Sequence, residues 1–224
     1  PHTEFMLVVS NGFLEESARK SLQRVADEVL ERPNDGFDVG AYRAGLAKLG
    51  WETLGTFDEL LLVNSTFFGP VGSFTPLLER MREADVDLWG VTDHPAVTPH
   101  PYTGRGTMPA HLQSYWLGIR RPVLQDPAFR SYWEALPIPS TYSEVVTNFE
   151  SRFTEHFTAL GFTWAAAFPA SDYGVANPTM EAPLSLLEDG CPLFKKRLYF
   201  HDVPALVDNG VLTWAVTAEA ERRG

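Results

Sequence analysis

Cysteine is almost missing from this chain: Cys191 is the single example in 224 residues. A lone thiol excludes an intramolecular disulfide and a multi-cysteine metal centre, and it fits a reducing compartment, so a cytoplasmic location is expected. Basic residues are scarce as well. With 18 Lys and Arg against 29 Asp and Glu, the formal net charge is −11, which argues against nucleic acid as a partner because phosphate backbones are held by clustered cations. The one tight basic run is Lys195-Lys196-Arg197; it reads equally well as the solvated end of an element and as a phosphate or lipid contact. No apolar stretch reaches the roughly 18 residues of a spanning helix. The start, PHTEFMLVV, has no charged region ahead of a long apolar core. Strong catalytic signatures are lacking too: there is no GxxxxGK[ST] loop, no GxGxxG after a strand, no HExxH and no GxSxG.

What is present suits a folded enzyme-sized domain. At 44% hydrophobic and 21% charged residues, the chain can bury one large core, and a single domain over residues 1–224 is expected. It opens on Pro1 rather than Met, directly ahead of an apolar run, and so is expected to be part of a longer protein. Phe5–Ser10 reads as a buried parallel strand closed by Asn11-Gly12. Glu15–Leu30 reads as a helix, with Leu14, Ala18, Leu22, Val25, Ala26 and Val29 at helical spacing. Val39–Leu49 is a second helix, and Glu59–Val63 a second buried strand. Strand, helix and strand in succession imply a crossover and a parallel sheet. Ser73–Ala84 (helix) and Leu88–Val91 (strand) follow.

Thr92–Ala110, rich in Pro, Gly, His and Thr, reads as a long loop of the kind that serves as an active-site lid. Gln113–Ile119 then reads as a strand, Arg130–Leu136 and Ser143–Leu160 as helices, and Thr163–Phe168 as the last strand. A short helical tail carries Pro178, Pro183 and Pro192.

Open parallel sheets bind ligands at the carboxyl ends of their strands. That rule selects Asn11-Gly12, Asn64-Ser65-Thr66 and Thr92-Asp93-His94, each of which is also an ordinary turn composition. Arg32–Gly40 (RPNDGFDVG) concentrates Asn34, Asp35, Gly36, Asp38 and Gly40 between a strand-like end and a helix. Its glycines fit close approach of backbone to a ligand. Equally, Asn34-Asp35 forms a turn and Asp38 caps the helix that follows. In Ser143–Leu160 the buried stripe is Phe149, Phe153, Phe157 and Leu160, which puts Glu150 beside it. A carboxylate partly withdrawn from water gains proton affinity and suits a general base, although the same position suits an exposed helix charge.

Six segments in order, RPNDGFDVGAY (32–42), ELLLVNSTFFGP (59–70), DVDLWGVTD (85–93), HLQSYWLGIRRPVL (111–124), NFESRFTEHFTALGF (148–162) and GCPLFKK (190–196), resemble the rhamnan synthesis protein F family. That family is itself similar to glycosyltransferases of the GT-A fold. The resemblance implies an α/β fold with a mostly parallel central sheet flanked by helices, here lacking the strand that normally comes first.

It also implies roles. Glu150 is the catalytic base of an inverting transfer, and Asn11, Asn34, Asp35, Asp38, Asn64, Ser65 and Thr66 line the donor. Asp93, His94, Gln113, Ser114, Tyr115 and Trp116 contact acceptor or sugar, while Arg105, Arg120 and Lys195 meet the diphosphate. A divalent cation, Mg²⁺ or Mn²⁺, enters only through the resemblance. Asn64 and Thr66 stand where a DxD motif would carry carboxylates, and their neutral oxygens are poor substitutes, so no metal site is assigned.

The implied activity is transfer of a sugar, rhamnose from dTDP-rhamnose being the best match, to a lipid-linked or polysaccharide acceptor of the cell surface. The setting would be the inner face of the membrane, beside fused glycosyltransferase domains. The alternative is a transferase-like module that binds glycan or a partner enzyme without catalysis. A hydrolase using paired carboxylates such as Glu150 and Asp93 is the third reading.

Overall fold

The first apolar run forms a strand, as its composition predicts, but it pairs with a segment that reads as helix in the sequence. The computed structural model describes residues 3–200, 217 and 219–222. Its elements run β1 (Leu7–Asn11), α1 (Glu16–Leu22), β2 (Glu28–Arg32), α2 (Phe37–Leu49), α3 (Trp51–Leu54), β3 (Glu59–Val63), β4 (Phe67–Phe68), α4 (Thr75–Glu83), β5 (Leu88–His94), β6 (His111–Leu112) and β7 (Trp116–Arg120). They continue with α5 (Arg121–Gln125), α6 (Pro127–Ala135), α7 (Tyr142–Glu144), a π-helical turn (Val145–Glu150), α8 (Ser151–Ala159), β8 (Trp164–Phe168), α9 (Ala170–Tyr173), α10 (Pro178–Glu181), α11 (Pro183–Glu188), β9 (Phe194–Lys195) and α12 (Lys196–Phe200). The expected proline-containing helical tail corresponds to α10, α11 and α12, and its residues 201–216 lie outside the described residues. The chain divides into two compact units, residues 1–60 with 119–152 and residues 61–118 with 153–224.

In the first unit β1 and β2 run parallel, in register from Leu7 opposite Glu28 to Asn11 opposite Arg32. The helix expected over Glu15–Leu30 therefore stops at Leu22. The backbone groups of β1 need partners, and β2 supplies them. Met6 N donates to Asp27 Oδ2 at 2.7 Å, while Asp27 N and Glu28 N donate to the Met6 carbonyl at 2.9 and 3.2 Å. Val25, assigned by spacing to a buried helical face, is 68% exposed. Helix α2 lies on this strand pair so closely that a Cβ on Gly45 would stand 3.3 Å from Val9 Cγ2. The unit's core is aromatic. Trp133 and Phe149 are centred 5.3 Å apart and Trp51 and Phe129 6.2 Å apart, with Val39, Leu46, Leu54 and Val123 buried as well. Each such side chain stabilises by about 1.5–3 kcal/mol.

The larger sheet has the strand order β3-β7-β5-β6, with β8 pairing β5. It is mixed rather than mostly parallel, because β5 runs parallel to β8 but antiparallel to β6. The antiparallel partner, β6, follows directly on the segment expected to be a loop, and β5 itself extends into that segment at Asp93 and His94. Residues 92–110 fold back as an arm in which Val97 and Met108 exchange hydrogen bonds of 3.0 and 2.9 Å, and a chain that reverses on itself returns antiparallel.

Beneath the second unit's strands, Leu77, Met81, Trp89, Val91, Trp116, Ala167 and Phe168 form one buried cluster. Gly118 is required there, since a Cβ would lie 2.0 Å from the Trp89 indole nitrogen. The α8 stripe is buried at Phe153 and Phe157, while Leu160, expected to extend it, is 52% exposed past the helix end. Among the described residues no helix is long and apolar enough to cross a membrane.

Candidate functional site

The first unit gathers polar groups at the carboxyl ends of β1 and β2. Asn11 and Arg32 are cross-strand partners, and the Arg32 guanidinium donates to Asn11 Oδ1 and to the Asp35 carbonyl. The Asn11 amide in turn donates to the Phe37 carbonyl at 2.9 Å. Together these bonds pin the Asn34-Asp35-Gly36 bend. Gly36 sits at φ +80° and Phe37 at φ +53°, the left-handed region that glycine adopts without strain. Gly40 leaves room for the fork of Arg32: a Cβ there would lie 2.0 Å from Asp35 O and 2.9 Å from Arg32 Nη2. Gly36, not Asp38, is the N-cap of α2, and no side chain caps this helix. Asn34 and Asp35 are exposed on the bend.

One turn further along α2, Tyr42 is buried. Burial raises its hydroxyl pKa well above the ordinary value of 10, and the charges of Asp38 and Glu150 raise it further. Both carboxylates therefore lie within electrostatic reach of one protonated phenol, although 112 positions separate them in sequence. Glu150 is half-buried and ends the π-helical turn. That widened winding is locked by Ser151, fully buried, whose hydroxyl donates to the Val146 carbonyl at 2.8 Å. Single π-helical turns inside helices recur at functional sites. The ring of Phe149 meets Tyr42 at 6.4 Å, which fixes the neighbouring position against the same helix.

In the second unit Asn64 and Thr66 are also brought together, but not as cation ligands. Asn64 Oδ1 accepts from Thr66 N at 3.0 Å and from Thr66 Oγ1 at 2.6 Å, an Asx-type turn. Lys195 Nζ donates to Thr66 Oγ1 at 2.9 Å and lies 3.7 Å from the centre of the Tyr115 ring. A divalent cation needs several oxygens free to coordinate it. Here the amide oxygen is already occupied and an ammonium stands beside the hydroxyl, so these residues do not fit Mg²⁺ or Mn²⁺. Behind Lys195, Thr92 Oγ1 shares hydrogen bonds with Tyr115 OH at 2.8 Å and Gln113 Oε1 at 2.5 Å. Ser65 is exposed at this turn.

A cleft of about 500 Å³ opens beyond the carboxyl ends of β5 and β8, lined among others by Asp93, Ala96, Ala110, Ser171 and Val175. Asp93 is held there by the Ala170 amide, which donates to Oδ1 at 2.6 Å. Beside it the rings of His94 and His111 stack at 5.4 Å, each Nδ1 within 2.8 Å of a neighbouring proline carbonyl.

Four of the other expected contacts are buried. Gln113, Ser114, Tyr115 and Trp116 are all at most 8% exposed, and Trp116 belongs to the buried cluster. Arg105 lies exposed in the turn of the 92–110 arm, and Arg120, in the first unit, faces Glu59 at 3.6 Å. Sequence reasoning passed over Arg32, Tyr42 and Ser171. Tyr42 was within reach of it, standing four residues after Asp38 and so on the same helical face.

The profile of rhamnan synthesis protein F matches residues 6–219. An uncharacterized protein, y4gN, of Sinorhizobium fredii (strain NBRC 101917 / NGR234) is 28% identical over 169 residues, 75% of this chain and 42% of that protein. Virulence protein VirA of Vibrio anguillarum (strain ATCC 68554 / 775) is 29% identical over 169 residues, 74% of this chain and 49% of that protein. The chain thus spans less than half the length of these curated relatives. No solved structure matches it significantly. With nearly the whole chain matched, it belongs to the rhamnan synthesis protein F family.

Proposed function

We propose that this chain is a glycosyltransferase domain that moves a sugar, rhamnose by family, from a nucleotide-activated donor such as dTDP-rhamnose to a polysaccharide acceptor with inversion. The observation that carries this reading is that Asp38 and Glu150 both lie within electrostatic reach of the buried Tyr42 hydroxyl. It brings the Asn-Asp-Gly segment and Glu150 of the family pattern together within one unit. Glu150 takes the proton of the acceptor hydroxyl as that oxygen bonds to the anomeric carbon. The bond from that carbon to the diphosphate oxygen breaks, and the nucleoside diphosphate leaves with the electron pair. Tyr42, kept protonated by burial, lies in the field of both carboxylates, and Asn34 and Asp38 orient donor groups. The second unit, taken by itself, presents a cation at Lys195, whose Nζ donates to Thr66 Oγ1, and a separate cleft lined by Asp93.

A donor shift and a base variant test this together. Saturating dTDP-rhamnose at 100 times its dissociation constant is expected to stabilise the chain by about 2.7 kcal/mol. Glu150→Gln is expected to keep that shift while transfer falls roughly 10²–10⁴-fold. Transfer at the wild-type rate in this variant would remove Glu150 from the role of base. A second reading, a glycan-binding module without transfer, is favoured by the tied-off Asn64 and Thr66 oxygens. It predicts stabilisation by oligosaccharide and none by any nucleotide.

A further inference from the structure

Three aromatic rings stand in water at one corner of the second unit. Phe68 on β4 and Tyr199 and Phe200 on α12 are 37%, 52% and 62% exposed. They pack on one another, with Phe68 centred 6.2 Å from Tyr199 and 5.9 Å from Phe200, and Tyr199 5.0 Å from Phe200. The buried ring of Phe194, 5.7 Å from Phe68, anchors the group to β9.

Cations frame the same corner. Lys196 Nζ lies 5.4 Å from the Phe68 ring centre, and Arg197 is exposed beside it. The three-residue basic run of a chain whose net charge is −11 therefore coincides with its exposed aromatic cluster. Contiguous exposed apolar surface marks an interaction site. Aromatic rings next to Lys and Arg match the headgroup level of a bilayer, where rings enter the interface and cations meet lipid phosphates.

We propose that the β4, β9 and α12 corner docks on an anionic lipid surface, with Tyr199 and Phe200 entering the interface and Lys196 and Arg197 contacting phosphates. Charge complementarity selects the bilayer over a neutral glycan, which would use the rings and leave the cations without a role. The surplus of acidic charge elsewhere is repelled by such a surface, so contact at this corner also orients the molecule. The inference is independent of sugar transfer, because its test contains neither donor nor acceptor.

Co-sedimentation with vesicles decides it, using phosphatidylcholine alone and an equal mixture with phosphatidylglycerol. The chain is expected to pellet with the mixed vesicles, weakly with the neutral ones, and less as salt rises. Lys196→Ala and Arg197→Ala should each lower the partition coefficient about fivefold, and Phe200→Ser about tenfold, with circular dichroism unchanged because these side chains lie outside the core. Failure of the wild-type chain to pellet with mixed vesicles overturns the proposal, as does pelleting of the three variants at wild-type level. A concentration-dependent dimer that Phe200→Ser abolishes, without vesicle binding, assigns the corner to a second copy of the chain and overturns it equally.

Discussion

The guanidinium of Arg32 joins its cross-strand partner Asn11 to the Asp35 carbonyl, so the carboxyl ends of β1 and β2 and the bend that follows form one hydrogen-bonded unit. A planar fork is suited to two acceptors at fixed angles, and lysine cannot reproduce it. The absence of a side chain on Gly40 is what lets the fork lie flat against α2.

Gly40→Ala is therefore expected to displace the Asp35 carbonyl or the Arg32 fork and to cost about 1–3 kcal/mol, the usual range for overpacking. Gly55→Ala is the control, because its nearest neighbour would be at 3.6 Å in a helical backbone geometry. Urea midpoints of the two variants check this. Equal midpoints would mean that the bend yields freely and that Arg32 does not hold it.

A second prediction concerns the lead into Glu150. Thr141 Oγ1 accepts from Glu144 N at 3.2 Å, while Glu144 Oε2 accepts from Ser140 N at 2.7 Å and Ser140 Oγ at 3.0 Å, a reciprocal cap at the start of α7. The Ser140 hydrogen bonds hold the Glu144 carboxyl below its ordinary value of 4.5. A depressed carboxylate contributes stability that is present above the unfolded pKa and lost as pH falls through the folded one. The urea midpoint difference between wild type and Glu144→Gln should thus be largest at neutral pH and shrink below about pH 4.5. Thr141→Ala should cost about 1 kcal/mol. A difference that does not change with pH would show that the cap is not ionic.

Much of this architecture is legible in the sequence where periodicity and burial agree. Leu77 and Met81 of α4 and the phenylalanines of α8 are buried as their spacing predicts, and ELLLV forms the expected strand, although only Leu62 in it is buried and Val63 is 40% exposed. Legibility fails where pairing, not composition, decides. Val29 and Leu30 fit a helix by spacing, yet they form β2 because β1 leaves backbone groups unpaired. Residues 92–110 carry loop composition, yet Asp93 and His94 extend β5 and pair antiparallel with β6, which makes the sheet mixed, and Val97 and Met108 bridge across the arm. The Asn-Asp-Gly bend and Glu150 stand out by motif and chemistry. The partnership of Asp38, Tyr42 and Glu150 depends on how α2 meets the π-helical turn, and that winding has no local sequence signal beyond a serine able to bond its i−5 carbonyl.

Cys191 reports on the second unit without interference, because the chain holds no other thiol. It is 2% exposed within the Trp89 and Trp116 cluster, and burial pushes its thiol pKa from 9.0 up to about 12. A thiol raised in this way contributes stability that is present below pH 9 and lost as pH climbs toward the folded value. Since only the thiolate reacts, a shift of this size slows labelling about a thousandfold at pH 8 before steric protection is counted. Labelling by an aromatic disulfide reagent should consequently be very slow in native buffer and immediate in urea. Gly118→Ala, which drives a methyl into the Trp89 indole of the same cluster, should speed native labelling by about tenfold or more through a 1–3 kcal/mol loss of packing. Rapid stoichiometric labelling of the wild-type chain would place Cys191 outside a packed core. An unchanged rate in Gly118→Ala would mean instead that the indole moves aside and that this contact does not limit opening of the cluster.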